Sequence, residues 1–305
     1  MIKRIALNIL LVAAVVFVLD FAIGSVLRHF YFKEKAGLHF RTTFSMEKTD
    51  AATLVFGSSR ANHHYIPEIF QDSLHTSFYN TGRDGNGIFY QTALLKTIVK
   101  RYKPEYILLD YAGSFGQQDR KVYDNLSSLL PYYASHPEIH KEVELRSPFE
   151  RVKLLSKIYP YNSQILTIGI GNMNINEKRM PDNKGYVPLV SDRIVTMEVY
   201  TSSKKDEIDS NKVRSFNEFV TVAKNSGAKV YVIYSPLFQQ LAHYNEVELS
   251  KQICMKEKVP FFDFSRDTFF LKRPYLFYDA VHLNNDGATI LSKIIAHKIL
   301  IGDTQ

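Results

Sequence analysis

Three side chains in this sequence have the types needed to activate a hydroxyl nucleophile: Ser59, Asp279 and His282. A serine hydroxyl attacks a carbonyl only when a base within hydrogen-bond reach takes its proton. An imidazole suits that work near neutral pH, and a carboxylate on its other ring nitrogen fixes the tautomer. Asp279-Ala280-Val281-His282-Leu283-Asn284 sets the carboxylate and the imidazole three residues apart, just before the last amphipathic run. Ser59 closes the turn Gly57-Ser58-Ser59, which follows the apolar stretch Leu54-Val55-Phe56. Each piece also has an ordinary explanation. A serine after a strand commonly caps the helix that follows. Asp279 and His282 could be a capping carboxylate and a surface imidazole. Placement favours chemistry: one piece ends the first strand of a pattern, and the other opens its final helix.

That pattern comes from the elements around them. Residues 53–56 are a short apolar run bounded by Gly57, which reads as a buried strand. Further strands are expected at 77–80, 106–111, 229–234 and 259–264. Helices are expected from Pro67, a good first-turn residue, and over 88–102, where Pro104 ends the run. Others follow at 211–224, 246–256 and 285–300, the last carrying Ile290, Leu291, Ile294, Ile295 and Ile299 at helical spacing. Strands separated by helices imply a parallel sheet covered on both faces. The expected fold is therefore α/β, a three-layer sandwich around a five-stranded, flavodoxin-like sheet. Sites in such sheets lie at the carboxyl ends of the strands, and Ser59, Gly85 and Asp110 all fall at or near such ends. From about 115 to 209 the alternation lapses into helical pieces, such as 149–158, and loops rich in Tyr, Pro and Asn. A structureless loop of that length is implausible, so a helical insert beside the site is expected.

The chain has 305 residues and is 45% hydrophobic, enough for one large domain with an appendage or for two small ones. Its net charge of +7 is spread along the sequence, with no nucleic-acid motif beside it. A mildly basic surface facing anionic lipid or polymer is the expectation, and nucleic acid is not an expected partner. A lone cysteine, Cys254, rules out an intrachain disulfide and leaves the compartment open. Residues 5–27 are almost wholly apolar and long enough to span a bilayer as a helix. A secretory signal has a shorter apolar core and a small-x-small cleavage site; here the run leads directly into Arg28-His29-Phe30-Tyr31-Phe32-Lys33. An uncleaved, single-pass anchor in the cytoplasmic membrane is expected over residues 1–35, with residues 28–50 as a membrane-proximal linker and residues 36–305 as the domain. Lys3 and Arg4 favour a cytoplasmic N-terminus and an extracytoplasmic domain, although Arg28, Lys33 and Lys35 dilute the asymmetry. Asp20 inside the span is costly, so it is expected to meet a partner helix or to reach headgroups.

Taken in order, these blocks resemble the SGNH (GDSL-type) hydrolase superfamily. That family's Gly-Asp-Ser block stands here as Gly57-Ser58-Ser59, so the resemblance assigns the nucleophile to Ser59. Its Asn-x-x-x-x-Gly block matches Asn80-Thr81-Gly82-Arg83-Asp84-Gly85, which assigns the oxyanion hole to the amides of Ser59 and Gly85. Its Asp-x-x-His block matches Asp279 and His282. The third block, Gly-x-Asn-Asp, is absent; Asp110-Tyr111-Ala112-Gly113-Ser114-Phe115 stands there, leaving Ser114 or Asn86 as substitute donors. Losing one such donor typically costs about 10²–10³ in rate. The likeness covers roughly residues 50–114 and 228–300. An anchored layout, a Gly-Ser-Ser block and a large insert are most similar to the bacterial D-alanyl-lipoteichoic acid and alginate O-acetylation proteins. The resemblance implies a membrane-anchored serine esterase or O-acyltransferase acting on an acylated cell-envelope glycan or lipid. The alternative it implies is a degenerate domain that serves as partner or scaffold of a membrane-bound O-acyltransferase. No cofactor is called for. Metal is not expected, because the adjacent His63 and His64 point different ways and no spaced third ligand is evident. Arg60 is expected in a structural salt bridge rather than on an anionic substrate. Tyr123, Tyr132, Tyr133, Tyr159, Tyr161 and Tyr186 are expected to fill a small core rather than to stack on sugars.

Overall fold

The computed structural model describes residues 1–111, 115–116, 120–173, 183–191, 194–200, 207–241 and 245–303. Helices α1 (Ile2–Lys33) and α2 (Gly37–Glu47) come first. They are followed by β1 (Thr53–Gly57), α3 (Ser59–His64), α4 (Pro67–Leu74), β2 (Phe78–Asn80), α5 (Ile88–Arg101) and β3 (Tyr106–Asp110). Next come the short helices α6 (Lys121–Asp124), α7 (His140–Glu144), α8 (Glu150–Lys153) and α9 (Ile165–Asn172), interleaved with 3-10 turns. The chain continues through β4 (Glu198–Tyr200), α10 (Ser210–Asn225), β5 (Lys229–Tyr234), β6 (Gln239–Leu241) and α11 (Asn245–Lys256). It closes with β7 (Phe261–Asp263), α12 (Thr268–Leu271) and α13 (Asn285–Asp303). Two compact units result: residues 1–43 with 126–181, and residues 44–125 with 182–305.

The larger unit is the α/β sandwich. Its five strands run β2-β1-β3-β5-β7, every pair parallel. Counted within the sheet this is the flavodoxin-like order, and the switch point lies between β1 and β3. Gly57 and Asp110 are register partners there, so the carboxyl ends of both strands meet at one place. Side chains alternate across the strands. Val55, Leu108 and Ile233 pack with Tyr65, Phe70, Leu291 and Ile295 on the face covered by α3, α4 and α13. The opposite face meets the paired helices α5 and α10, where Phe56 and Phe219 pack edge to face at 5.3 Å. All five expected strands form, as do the helices expected at 88–102, 211–224, 246–256 and 285–300. A second parallel pair, β4 with β6, had no clear signal in the sequence.

The smaller unit is organised around α1, which is long and apolar enough to cross a membrane. One expectation changes here. Residues 28–50 are not a linker: α1 continues to Lys33 and α2 follows after one turn. Thr42 and Thr43 return their hydroxyls to the carbonyls of Leu38 and His39, which lets a polar sequence stay helical. Asp20 has partners within its own chain. Its carboxylate accepts from Ser156 Oγ at 2.5 Å, Lys157 N–H at 2.7 Å and Ile158 N–H at 3.2 Å. A carboxylate and three donors thus satisfy one another. Gly24 makes the approach possible, because a Cβ there would lie 2.4 Å from the Lys157 carbonyl carbon. Farther along, Tyr31 packs on His39, Tyr132 and Tyr161 at ring separations of 4.5, 6.0 and 5.6 Å. Tyr132 and Tyr161 are buried, the core-filling role expected of them. Gly24→Leu is expected to cost about 1–3 kcal/mol through overpacking and to expose residues 154–158 to limited proteolysis. Val26→Leu, at an exposed position on the same helix, should leave the digestion pattern unchanged.

Candidate active site

The site is built on the sharp exit from β1. Gly57 sits at φ +149°, and a Cβ there would lie 2.6 Å from both the Asp110 carbonyl oxygen and Ala61 Cβ. Only glycine allows that turn. Its carbonyl is pinned by Gln91 Nε2 at 2.6 Å and by the Arg83 amide at 3.1 Å. Ser58 then caps α3, its Oγ accepting the Ser59 N–H at 2.6 Å. The capping role therefore belongs to Ser58, which leaves the Ser59 side chain for another partner. Ser58→Ala should lower stability by about 0.5–2 kcal/mol in thermal melts, the usual loss for an N-cap.

Ser59 Oγ lies 2.7 Å from His282 Nε2. His282 Nδ1 lies 2.9 Å from each oxygen of Asp279. Asp279 Oδ1 also accepts the backbone N–H groups of Val281 and His282, each at 2.8 Å. One carboxylate thus shapes the loop and orients the ring. Partial burial raises the Asp279 pKa, but the hydrogen bonds from the His282 ring and from the two amides outweigh it, and the net shift is downward. Asp279 is therefore ionised at neutral pH and can only accept, so in the neutral imidazole Nδ1 carries the proton and Nε2 turns its lone pair to the Ser59 hydroxyl. His282 and Asp279 remain 19% and 44% exposed, which leaves the set open to a substrate.

Two histidines that sequence reasoning assigned to no role hold this arrangement. His64 is fully buried, and its Nε2 accepts the Leu283 N–H at 2.9 Å, fixing the residue next to His282. His63 Nδ1 donates to the Val187 carbonyl at 2.7 Å, and its ring meets that of His282 edge to face at 5.7 Å. Burial holds the His64 pKa well below its usual range, with the charges of His282, Arg60 and His63 adding to the effect. The unfolded chain takes up that proton near the ordinary value of 6.5, and the folded chain refuses it. Stability should therefore fall as pH drops below about 6.5, with a limiting slope of about 1.4 kcal/mol per pH unit. Thermal melts across pH 5–8 check this. His64→Gln, which keeps an acceptor and cannot titrate, should flatten the slope.

The loop after β2 is laced to the same helix. Asn80 Nδ2 donates to the Ala61 carbonyl at 2.6 Å, and Asn80 Oδ1 accepts the Gly82 amide at 2.9 Å. A Cβ at Gly82 would lie 2.7 Å from the Asn62 nitrogen. Asn62 Nδ2 in turn holds Asp84 Oδ1 at 2.8 Å. Gly85 sits at φ +72°, and its carbonyl accepts from Asn125 Nδ2. Among the described residues no hydrogen bond engages the Gly85 amide. The Ser59 amide, by contrast, donates to Ser58 Oγ. Asn86 is buried and donates from Nδ2 to the Asp84 carbonyl at 3.2 Å, within its own loop. Ser114 lies outside the described residues.

Arg60 is buried beneath the turn. Its Nη1 donates to the Ser235 carbonyl at 3.1 Å, and its guanidinium lies over the Tyr234 ring at 4.6 Å. Asp110 Oδ2 accepts from Tyr65 OH at 2.9 Å and from Ser235 Oγ. Burial raises the Asp110 pKa, and the Arg60 charge only partly opposes it. These groups support the turn from within. The segment 183–189 was also missed as part of the site's frame. The Lys184 carbonyl accepts the Asn80 amide at 2.8 Å, Val187 donates to the Asn62 carbonyl at 3.1 Å, and the Leu189 carbonyl accepts the Asn285 amide at 2.8 Å. Its one sequence signal was the turn-forming Asn183-Lys184-Gly185. No protein-family model and no curated protein matches this sequence. Geometry alone must therefore carry any assignment of chemistry.

Proposed function

We propose that this chain is a membrane-anchored serine esterase or O-acyltransferase of the SGNH type. The observation that carries the reading is the continuous hydrogen-bonded line from Ser59 Oγ through His282 to Asp279, with contacts of 2.7 and 2.9 Å. Ser59 Oγ attacks the ester carbonyl carbon while its proton passes to His282 Nε2. The imidazolium that forms is stabilised by Asp279, and the oxyanion takes the Gly85 amide, joined by the Ser59 amide once that N–H exchanges Ser58 Oγ for the oxyanion. Collapse breaks the carbonyl–oxygen bond, and His282 returns the proton to the departing alcohol. Water or a second hydroxyl then attacks the acyl-Ser59 ester, with His282 again the base. The anchor α1 and the basic surface fit an acylated glycan or lipid of the cell envelope as substrate, met on the extracytoplasmic side of the cytoplasmic membrane.

The full-length protein in detergent should cleave p-nitrophenyl acetate with a burst and carry one acetyl group on the Ser59 peptide. Turnover without a burst or an acetylated peptide counts against the acyl-enzyme. A second reading has its own observations: the Ser59 amide is already held by Ser58 Oγ, and no asparagine stands in the third block. On that reading the domain binds an acylated polymer, or positions a membrane-bound O-acyltransferase, without reacting. Cellular function that survives Ser59→Ala but not removal of α1 would select it.

A further inference from the structure

The smaller unit contains a cavity of about 240 Å³ against α1. Phe21, Gly24, Ser25 and Arg28 line it from α1, a single helix face by their spacing. Leu130, Pro131, Leu154, Lys157, Pro160 and Tyr161 are among the residues that close the other side. Its walls are mostly apolar, yet both cations that reach it, Arg28 and Lys157, lie at exposed positions. Among the described residues neither side chain forms a salt bridge; the Asp20 carboxylate, held on the Lys157 amide, lies close enough to feel the Lys157 charge, while Arg28 has no such carboxylate.

The position of the cavity along α1 says what chemistry it meets. A bilayer core takes about 20 apolar helical residues, which counted from Ile5 end near Gly24. Phe21 therefore lies inside the hydrocarbon and Arg28 beyond it, about 10 Å farther along the axis. Asp20 draws the 156–158 turn down to this level through three hydrogen bonds. Leu155, beside that turn, is 77% exposed, and Val152 and Phe149 are exposed nearby in sequence. An apolar side chain left open beside that turn, as Leu155 is, is matched by lipid rather than by water.

We propose that this crevice holds an anionic phospholipid, with an acyl chain along Phe21 and Leu154 and the phosphate between Arg28 and Lys157. The volume is below the 300–1,000 Å³ typical of sites that enclose a whole drug-sized ligand. It suits the top of one chain and a headgroup, with the rest of the lipid remaining in the bilayer. Charge complementarity selects the anionic headgroup, and continuity with α1 selects a lipid over a soluble anion. The inference is independent of the esterase reading and requires only that α1 lie in a bilayer.

The test is native mass spectrometry of the full-length protein released from nanodiscs containing equal phosphatidylglycerol and phosphatidylcholine. One retained phosphatidylglycerol is expected. A cation at a membrane surface is worth about 1 kcal/mol, so Arg28→Gln and Lys157→Gln should each reduce the preference for phosphatidylglycerol about fivefold. Lys33→Gln with Lys35→Gln, outside the crevice, should leave it unchanged. Equal retention of both lipids by the unaltered protein would overturn the proposal. So would an equal loss in the Lys33/Lys35 control, which would mark a general field, or displacement of the lipid by inorganic phosphate.

Discussion

Ser59→Ala is expected to lower kcat for ester cleavage by about 10³- to 10⁶-fold, the range found when a serine nucleophile is removed while the rest of its site remains. The substitution deletes the hydroxyl that the proposed acyl-enzyme requires. Little else changes. Ser59 Oγ has His282 Nε2 as its hydrogen-bond partner, and the helix cap is supplied by Ser58. Stability should therefore change by no more than about 1.5 kcal/mol, the value of one hydrogen bond. Ser58→Ala should show the converse, a measurable loss of stability with a far smaller loss of rate. Steady-state kinetics and thermal melts on the two variants separate these roles. Similar rate losses in both would mean that the turn, rather than the Ser59 hydroxyl, is what matters.

Asp279→Asn is expected to lower kcat by about 10⁴-fold with the fold intact. The asparagine oxygen can still accept the Val281 and His282 amides that Asp279 Oδ1 accepts now, so the loop keeps its shape. The other carboxylate oxygen becomes an NH₂ group facing His282 Nδ1. That nitrogen must then accept, which moves the ring proton to Nε2 and turns a donor toward Ser59. A ring in that tautomer cannot take the serine proton. The loss should fall in kcat rather than KM, because Asp279 contacts the base and not the substrate. An Asp279→Asn variant with ordinary kcat would remove Asp279 from the mechanism.

The fold was legible because its central strands, β1 and β3, are buried on both sides. Leu54-Val55-Phe56 and Ile107-Leu108-Leu109 read as continuous apolar runs, which is what a parallel sheet between two helical layers requires. The Ser59, Asp279 and His282 set was legible because each member adjoins a strong punctuation mark, Gly57 or the start of the last helix. Less visible was everything held by long-range polar contacts. Nothing local in Asp20 announces that Ser156, Lys157 and Ile158, far away in sequence, will satisfy it. The helix at 37–47 was hidden by its polar composition. His64 drew attention only through its neighbour His63, yet the Leu283 amide it accepts is set by how α3 meets the loop before α13. Arg60 was expected in a salt bridge; its guanidinium instead contacts a carbonyl and an aromatic ring, and its charge reaches the buried Asp110 without a direct ion pair.

The most direct test of the central claim is covalent labelling of the full-length protein by a serine-directed fluorophosphonate, followed by peptide mass spectrometry. The site geometry predicts one adduct, on Ser59, absent from Ser59→Ala and His282→Ala. An unlabelled protein that is folded by thermal melting, or an adduct on any other serine, would contradict it.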